Sequence, residues 1–284
     1  MERILVAGAT GYLGRYVVKE AKKQGYYVRA LARNPHKLDD ISEYIDEIFE
    51  AEVTKPDTLL GSCDGIDYVI SSVGITRQKD GLSYMDVDYQ GNRNLLDKAV
   101  ESSVKKFIYV SVLNAHLMQD LKIIQAKERF VDELRRSGLD HCVIRPTGFF
   151  SDMLEFLAMA RRGRVYLLGD GHTEINPIHG SDLADVCVDA VFDKDREILI
   201  GGPDVYTYRQ IAEMAFDVIG KPVKISKLPK WLNRVSLALA RTFTSSKIYG
   251  PLEFMMAVMT MDVVGELYGT NRLREFFIEK AGAL

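Results

Sequence analysis

The chain has 284 residues, of which 47% are hydrophobic and 27% are charged. That length is enough for a sizeable hydrophobic core and for about two structural units, as in an ordinary soluble protein. Lys plus Arg total 37 against 40 Asp plus Glu, a net charge of -3. Without a basic surplus, nothing favours nucleic acid as a partner, whereas a neutral or acidic partner stays open.

The cysteines Cys63, Cys142 and Cys187 are scattered, odd in number and without the spacing of a metal site. This pattern is typical of reduced thiols in a cytosol, and no metal is expected. A strand pattern begins almost at once, without a charged and apolar leader, so we expect no export signal and a cytoplasmic location.

Short β-branched runs alternate with amphipathic helical patterns up to about residue 150. The predicted strands are RILVA, YYVRALA, DEIFEAE, IDYVISSV, KKFIYVSV and LDHCVIRP, and helical segments between them include VVKEAKKQ and NRNLLDKAVESS. The alternation predicts an α/β fold with a doubly wound parallel sheet. From residue 151 longer helices and isolated strands predict a smaller mixed α+β lobe over 151–284, partly interleaved with the domain formed by 1–150.

The first predicted strand runs directly into a turn, GATGYLG, that holds Gly8, Gly11 and Gly14. Residues without a Cβ let the backbone approach a pyrophosphate, and the following helix then offers its N-terminal amides. Glycine turns also serve close helix packing. With a strand before it, a helix after it and further strands downstream, this turn predicts nucleotide binding.

The end of the second predicted strand indicates which nucleotide binds. It reads RALARNPHKL, with Arg33 where an acidic residue would bind a ribose 2′-hydroxyl. A guanidinium suits a 2′-phosphate and stacks on adenine, and Arg15 and Lys37 are candidate helpers. The cofactor prediction is therefore NADP(H), with a solvated surface arginine as the alternative.

Five stretches together resemble the NmrA-like atypical short-chain dehydrogenase/reductases: GATGYLG, ARNP, YVSVLNA, AKERFVDELRRSGLDHCVIRPTGFFSDM and INPIHGSDLADV. The resemblance covers most of residues 1–215. It implies a Rossmann fold, with residues 1–150 as the NADP-binding domain and 151–284 as a substrate-binding lobe. It also implies further cofactor-binding residues: Thr10, Tyr12 and Leu13 at the phosphate turn, Ser71, Ser72, Val73 and Gly74 under the cofactor ribose, Glu52 near the adenine, and Pro146, Thr147 and Phe149 beside the nicotinamide.

The catalytic signature departs from that of the resembled superfamily. Its members ordinarily carry Tyr-x-x-x-Lys on a helix, where the lysine lowers the tyrosine pKa for proton transfer. Here the lysine position is Lys127, but Ile123 stands four residues earlier. Lys127 is a candidate catalytic residue that would hydrogen-bond the nicotinamide ribose, or act as acid or base if burial depresses its pKa. A surface lysine on a charged helix is the alternative.

Ser111 occupies the strand-end position of the superfamily's catalytic serine. As a second candidate catalytic residue it would hydrogen-bond a substrate carbonyl, although a strand-end serine also serves as a turn donor. Asn114 and His116 follow in the same loop. His179 is expected to be a cleft wall or a structural residue, and Asp182 to cap the following helix.

Two later segments, WLNRVSLALARTF and PLEFMMAVMTMDVVGELY, are rich in Leu, Met and aromatic residues. These segments could line an apolar pocket, lie against a membrane surface or, in the simplest interpretation, belong to the hydrophobic core. Charged residues interrupt both segments, so no transmembrane span is expected. A basic helix with Lys227, Lys230, Arg234 and Arg241 leaves peripheral membrane contact open.

These features favour a reductase that moves hydride between NADPH and a small, rather apolar carbonyl, quinone or activated alkene. One alternative is a non-enzymatic redox sensor that binds NADP(H) and acts through a protein partner, because the usual tyrosine is missing. Another is an assembly factor that keeps the cofactor for stability alone.

Overall fold

The computed structural model describes residues 1–75, 81–229 and 246–282. In these ranges the strands are β1 (Arg3–Ala7), β2 (Tyr27–Ala32), β3 (Glu47–Glu50), β4 (Tyr68–Ser71), β5 (Lys106–Val110), β6 (Asp140–Pro146), β7 (Val165–Leu168), β8 (Glu174–Ile175), β9 (Glu197–Gly201), β10 (Tyr206–Thr207), β11 (Ile225–Leu228) and β12 (Glu266–Leu267). The helices there are α1 (Tyr12–Lys23), α2 (Asn92–Glu101), α3 (Lys122–Arg136), α4 (Phe150–Arg161), α5 (Gly180–Asp189), α6 (Tyr208–Ile219), α7 (Ser246–Val258) and α8 (Leu273–Gly282). A π-helical segment, Met85–Gly91, leads directly into α2.

Eight of the described strands form one parallel sheet, in the order β12-β9-β6-β5-β4-β1-β2-β3. Successive side chains of β1 alternate between its two faces, because a strand has a period of two residues. Ile4 and Val6 pack beneath α1 and α5, and Leu5 and Ala7 pack beneath α2 and α3. Helices therefore cover both faces, and the predicted doubly wound α/β fold is confirmed.

Residues beyond 150 contribute to two different parts of the structure. Strands β9 and β12 extend the large sheet, and α5 packs on α1. Helices α4, α6 and α8 form a separate apolar core, beside the two small pairs β7–β11 and β8–β10. The division at residue 150 into a cofactor-binding and a substrate-binding unit stays a prediction.

Of the two Leu- and Met-rich segments, the second supplies α7, which packs through Phe254 and Val258 against an apolar cluster on α3. Lys227 is exposed on strand β11 rather than on the predicted basic helix. The other basic residues of that prediction, Lys230, Arg234 and Arg241, lie outside the described residues. Among the helices of the described ranges, none has the length and apolar character that a membrane crossing requires.

Candidate functional site

The three glycines of the first turn have different roles. Gly8 has a φ of +83°, a conformation that favours glycine, and the Gly11 amide donates to its carbonyl oxygen at 2.8 Å. A Cβ on Gly14 would lie 2.0 Å from that same oxygen, so Gly14 allows α1 to pack against the turn. Gly11 is exposed, and a Cβ there would meet Gly8 O alone, at 3.2 Å. Gly11 therefore leaves the turn open to a ligand.

A cleft of about 350 Å³ opens beside this turn, at the carboxyl ends of β1, β2, β3 and β4. Ligands of open α/β sheets bind at this edge. The cleft brings together eight of the predicted cofactor residues: Gly8, Thr10, Gly11, Arg33, Glu52, Ser72, Val73 and Gly74. It also has a lining that the sequence did not indicate, which is mostly apolar: Leu31, Ala32, Ala51, Val53, Thr54, Ile75, Leu82 and Val87.

One end of the cleft carries the charges that matter for nucleotide choice. Arg33 and Lys37 both line it and are exposed. Glu52 accepts from Lys55 Nζ and Thr54 Oγ1, each at 2.8 Å, and these hydrogen bonds hold its pKa below the ordinary value. Arg15, a predicted helper, instead forms an ion pair with Asp40 and donates to the carbonyl of Lys37 at 2.8 Å.

Besides Gly14, three of the residues predicted for the phosphate turn and the ribose do not reach the cleft lining. Leu13 is buried in the core beneath α1. Tyr12 is half-buried, its hydroxyl accepts from Gly180 N at 3.2 Å, and burial raises its pKa. Ser71 is fully buried and donates to Asn92 Oδ1 at 2.6 Å. Their side chains serve packing and internal hydrogen bonds.

The predicted nicotinamide border lies at the end of β6. Pro146 and Thr147 are buried, and Thr147 Oγ1 donates to Asn176 O at 2.6 Å. Phe149 is half-buried and packs edge-on against Tyr12, with 5.7 Å between ring centroids. None of the three lines the cleft described above, and their contact with a nicotinamide stays a prediction.

Lys127 lies directly behind the cleft wall. Its Nζ is 3.0 Å from Oδ1 of the fully buried Asp88, and a Cβ on Gly74 would lie 2.9 Å from the same Nζ. Burial lowers the pKa of Lys127, but Tyr109 and Asp88 raise it by more, so the net direction is upward. The condition for Lys127 to act as a neutral-pH acid or base, a depressed pKa, is therefore not met.

Ser111 does not line the cleft and is hydrogen-bonded to a partly buried ion pair. It is 4% exposed, its Oγ donates to Glu128 Oε1 at 2.9 Å, and it accepts from Arg145 Nη1 at 3.2 Å. Glu128 and Arg145 pair at 2.7 Å. The hydroxyl is thus engaged within the protein, and its contact with a substrate stays a prediction.

Ile123, at the position of the missing tyrosine, belongs to an apolar cluster. It is 4% exposed and groups with Tyr84, Met118 and Ile124 beneath α7. No proton donor stands at this position, since isoleucine has no O–H or N–H in its side chain. The surroundings suit apolar contacts rather than proton transfer.

The remaining polar candidates have structural partners or stand apart from the cleft. His179 caps α5, where its Nδ1 lies 2.7 Å from Ser181 Oγ, and burial lowers its pKa. Asp182 binds the Asn271 side chain at 2.6 Å instead of capping the helix. His116 is exposed in its loop. In the ranges that the structure describes, no group of three or more His, Cys, Asp or Glu could hold a metal ion.

Comparisons with known proteins identify the family of this chain. The model of the NAD(P)H-binding family matches residues 8–194. Photosystem II assembly factor Ycf39 of Trieres chinensis is 27% identical over 233 residues, which are 81% of this chain and 73% of that protein. The chloroplastic divinyl chlorophyllide a 8-vinyl-reductase of Arabidopsis thaliana is 30% identical over 250 residues, with 80% of this chain and 60% of that protein covered.

Among solved structures, the NADPH-dependent quinone oxidoreductase of Escherichia coli complexed with NADPH has a TM-score of 0.70 at 19% identity, over 99% of each chain. This likeness shows the Rossmann-type fold. The family match spans the glycine turn, Arg33 and the whole described cleft lining. The chain belongs to the NAD(P)H-binding family, in agreement with its resemblance to the NmrA-like atypical reductases, and its cofactor is NAD(P)H.

Proposed function

We propose that this protein is a reductase that transfers hydride from NADPH to a small apolar carbonyl, quinone or activated alkene. The observation that carries the proposal is the cleft, which joins the glycine turn to the cations Arg33 and Lys37. Relatives and structural neighbours named as vinyl and quinone reductases support the same reaction class.

The chain's own residues would divide the work as follows. NADPH, when bound, supplies the hydride. The open backbone at Gly11 and the N-terminus of α1 would hold the pyrophosphate, and Arg33 with Lys37 would meet a 2′-phosphate. Without a tyrosine at position 123, the substrate would delocalise the negative charge that hydride addition leaves on it, and the reduced anion would then take its proton from water. Quinones and activated alkenes meet that requirement because they delocalise the charge.

A second function, an NADP(H) sensor or assembly factor acting through a protein partner, is favoured by one specific arrangement. Ile123 is buried, and Lys127 is paired with Asp88, so the superfamily's usual proton-transfer residues are absent or engaged. The relative named as a photosystem II assembly factor supports this alternative.

A cytoplasmic location is part of the proposal. Cys63, Cys142 and Cys187 are free and buried. Burial raises the pKa of Cys63 to about 11 and that of Cys142 to about 12, which keeps these thiols protonated and unreactive. Free thiols of this kind suit a reducing compartment.

The two functions are separated by a turnover screen. Aldehydes, quinones and enones would be tested as substrates by following NADPH oxidation through its absorbance. The reactions would then be repeated with NADPH deuterated at the transferred position. Label in the product supports the reductase. If no substrate acquires label while NADPH binds at micromolar strength and changes the chain's association with a protein partner, the reductase proposal fails and the sensor replaces it.

Arg33→Ala is expected to weaken NADPH binding about tenfold or more and to leave NADH binding nearly unchanged. A charge-assisted hydrogen bond contributes about 1.5 to 3 kcal/mol. NADH lacks the 2′-phosphate, so it makes no such bond that the substitution could remove. Calorimetric titration of both cofactors measures the effect. Arg93→Ala is the matched control, because Arg93 pairs with Glu133 and does not line the cleft, so it should leave the preference unchanged. Equal losses of both cofactors in Arg33→Ala, or a wild-type preference for NADH, would contradict the assignment.

A further inference from the structure

Helix α5, which packs on α1, is capped at its N-terminus by an imidazole. The cap is His179, which is half-buried and whose Nδ1 accepts from the amide of Ser181 at 3.3 Å. The usual N-cap residues Ser, Thr, Asp and Asn offer an oxygen atom for this hydrogen bond. An imidazole nitrogen accepts only while it carries no proton. The cap of α5 therefore depends on the protonation state of one histidine.

The hydrogen bonds around His179 assign its tautomer. Asn271 Nδ2 donates to Ser181 Oγ at 3.2 Å, and the Ser181 hydroxyl lies 2.7 Å from His179 Nδ1, to which it donates. Because Nδ1 accepts from both the hydroxyl and the amide of Ser181, the hydrogen of the neutral ring lies on Nε2. Nε2 faces the hydroxyl of Tyr16 at 3.5 Å.

A second proton on this ring would break the cap. It would bind to Nδ1, where it would face the Ser181 N–H and the positive end of the α5 dipole. The rings of Tyr16, Phe150 and Phe276 surround the imidazole, with centroid distances of 5.2, 5.5 and 5.7 Å. These rings come from α1, α4 and α8 and shield the imidazole from water, which favours its neutral form.

Charged side chains of two helices also act on His179. Burial has the largest influence and lowers the pKa of His179, whereas Asp182 of α5 and Glu279 of α8 raise it and Lys280 of α8 lowers it. The net pKa lies below the ordinary value of 6.5. Asp182 is engaged by Asn271, whose backbone and side-chain nitrogens donate to it at 3.2 and 2.6 Å. The cap is therefore formed at neutral pH.

The capped end of α5 supports the first turn of α1. The Gly180 amide donates to the hydroxyl of Tyr12 at 3.2 Å, and Tyr12 directly follows Gly11 of the glycine turn. A Cβ on Gly180 would lie 2.4 Å from Tyr16 Cδ2 and 3.0 Å from Tyr12 Cε1, so the two helices meet closely here. Gly180 lies between the cap residue and Ser181. Loss of the cap would therefore release the residue that holds Tyr12.

We propose that His179 is a positioning residue for the cofactor: its neutral imidazole caps α5, and the capped helix end holds Tyr12 and the adjoining glycine turn in place for the pyrophosphate. His179 acts through Gly180 and Tyr12 and does not itself touch the cofactor. In acid the protonated ring releases the cap, and cofactor affinity falls. This role rests on the pyrophosphate site proposed at Gly11 and not on turnover, so it holds for the reductase and the sensor alike.

The direction of the pH effect follows from the lowered pKa of His179. Because this pKa is lower in the folded chain than in the unfolded chain, the stability that the cap contributes is fully present above about pH 6.5. It is lost as pH falls through the folded-state pKa. Since the cofactor binds the capped form, its affinity falls over the same range.

The test is the ratio of the NADP⁺ dissociation constant of the wild type to that of His179→Asn, measured by calorimetry from pH 8 to pH 5. NADP⁺ is used because NADPH decomposes in acid, and the ratio cancels the titration of the cofactor's own phosphates. Asparagine is a good N-cap that does not titrate in this range. We expect a ratio within about twofold of one at pH 8 that rises about threefold or more by pH 5, as for binding linked to one proton.

Tyr12→Phe is the control for the connection to the turn. It keeps the ring that packs on Gly180 and removes the hydroxyl that accepts from the Gly180 amide. In this background the ratio between the chains with His179 and with His179→Asn is expected to stay flat with pH. The midpoint of thermal unfolding should still fall in acid for the chain that keeps His179, because the cap itself still titrates.

Far-UV dichroism and thermal unfolding at pH 8 would confirm that each variant is folded. Should His179→Asn not fold, the ratio of the wild type to Tyr12→Phe replaces it and is expected to rise in the same way toward pH 5. A flat ratio between folded wild type and His179→Asn, or a rise that persists in the Tyr12→Phe background, would overturn the proposal. Absence of NADP⁺ binding by the wild type at pH 8 would contradict the pyrophosphate site itself, and this role with it. Deuterium transfer to a product is measured separately.

Discussion

Gly11→Val is expected to abolish NAD(P)H binding and to leave the fold intact. Gly11 is exposed and has an extended backbone, with φ of -81° and ψ of 171°, which a β-branched residue adopts readily. A Cβ there meets no protein atom closer than 3.2 Å. The valine side chain would instead stand in the cleft, where the pyrophosphate must approach the turn. Calorimetry should detect no binding at cofactor concentrations a hundredfold above the wild-type dissociation constant.

Gly14→Ala is the matched comparison for this variant. Its Cβ would lie 2.0 Å from the oxygen and 2.6 Å from the carbon of Gly8, and this backbone can shift only if the turn is rebuilt. We expect a loss of stability of about 1 to 3 kcal/mol, as for other overpacked sites, and a lower midpoint of thermal unfolding. Unchanged cofactor affinity in Gly11→Val would contradict a pyrophosphate site at this turn.

The fold was predictable because its signals are local. Strand β1, the glycine turn and α1 are continuous in sequence. The spacing of apolar residues predicts the strand and the helix, and the glycines, which lack a Cβ, predict the turn. The strand runs up to β6 were identified for the same reason. The π-helical Met85–Gly91 gave no such signal, since its geometry depends on packing. A Cβ on Gly91 would lie 2.8 Å from the Val53 side chain.

The cleft was only partly predictable, and Ser71 and Ser72 show why. The resemblance implies that both bind the cofactor, but neighbouring residues at a strand end point to opposite sides. Ser72 lines the cleft, whereas Ser71 is buried against Asn92. Ser111 lies two residues after Tyr109, so the two side chains are expected on the same side of the chain. Tyr109 packs in the core beneath α2 and α3, and Ser111 hydrogen-bonds Glu128 on α3. To predict which serine side chain faces the cleft, one must know the register of each strand end, and a sequence motif does not give that register.

Long-range partners were beyond the reach of sequence patterns. Asp88 and Lys127 meet only because α3 packs against the π-helical segment before α2. The π-helical segment also contains Asp86, and α3 contains several other basic residues, so no spacing distinguishes this pair from the surface pairs around it. An aspartate in the stretch MDVDYQG, together with a lysine at the superfamily position, is the weak signal that the sequence offered.

Lys127→Met is expected to weaken NADPH binding and to lower kcat/KM by the same factor, roughly tenfold to a hundredfold. That factor corresponds to the loss of one charged contact of about 1.5 to 3 kcal/mol. Tyr109 and Asp88 raise the pKa of Lys127 despite its burial, so at neutral pH the ammonium holds its proton. Because Lys127 then binds without donating a proton, its loss should lower NADPH affinity and kcat/KM by the same factor. Titration of NADPH and steady-state rates, with whichever substrate the screen identifies, measure the two quantities.

The variant needs a control for the carboxylate that it leaves behind. Removing one member of a buried pair costs about 3 to 5 kcal/mol if the other stays charged. Burial raises the pKa of Asp88, which favours its protonation instead. Asp88→Asn/Lys127→Met removes both charges and should restore most of the stability without restoring NADPH affinity. The contrary result is a fall in kcat of about a hundredfold, the usual contribution of a positioned acid, with NADPH affinity at the wild-type value. Lys127 would then be the proton donor, and it would have to leave its ion pair with Asp88 during turnover.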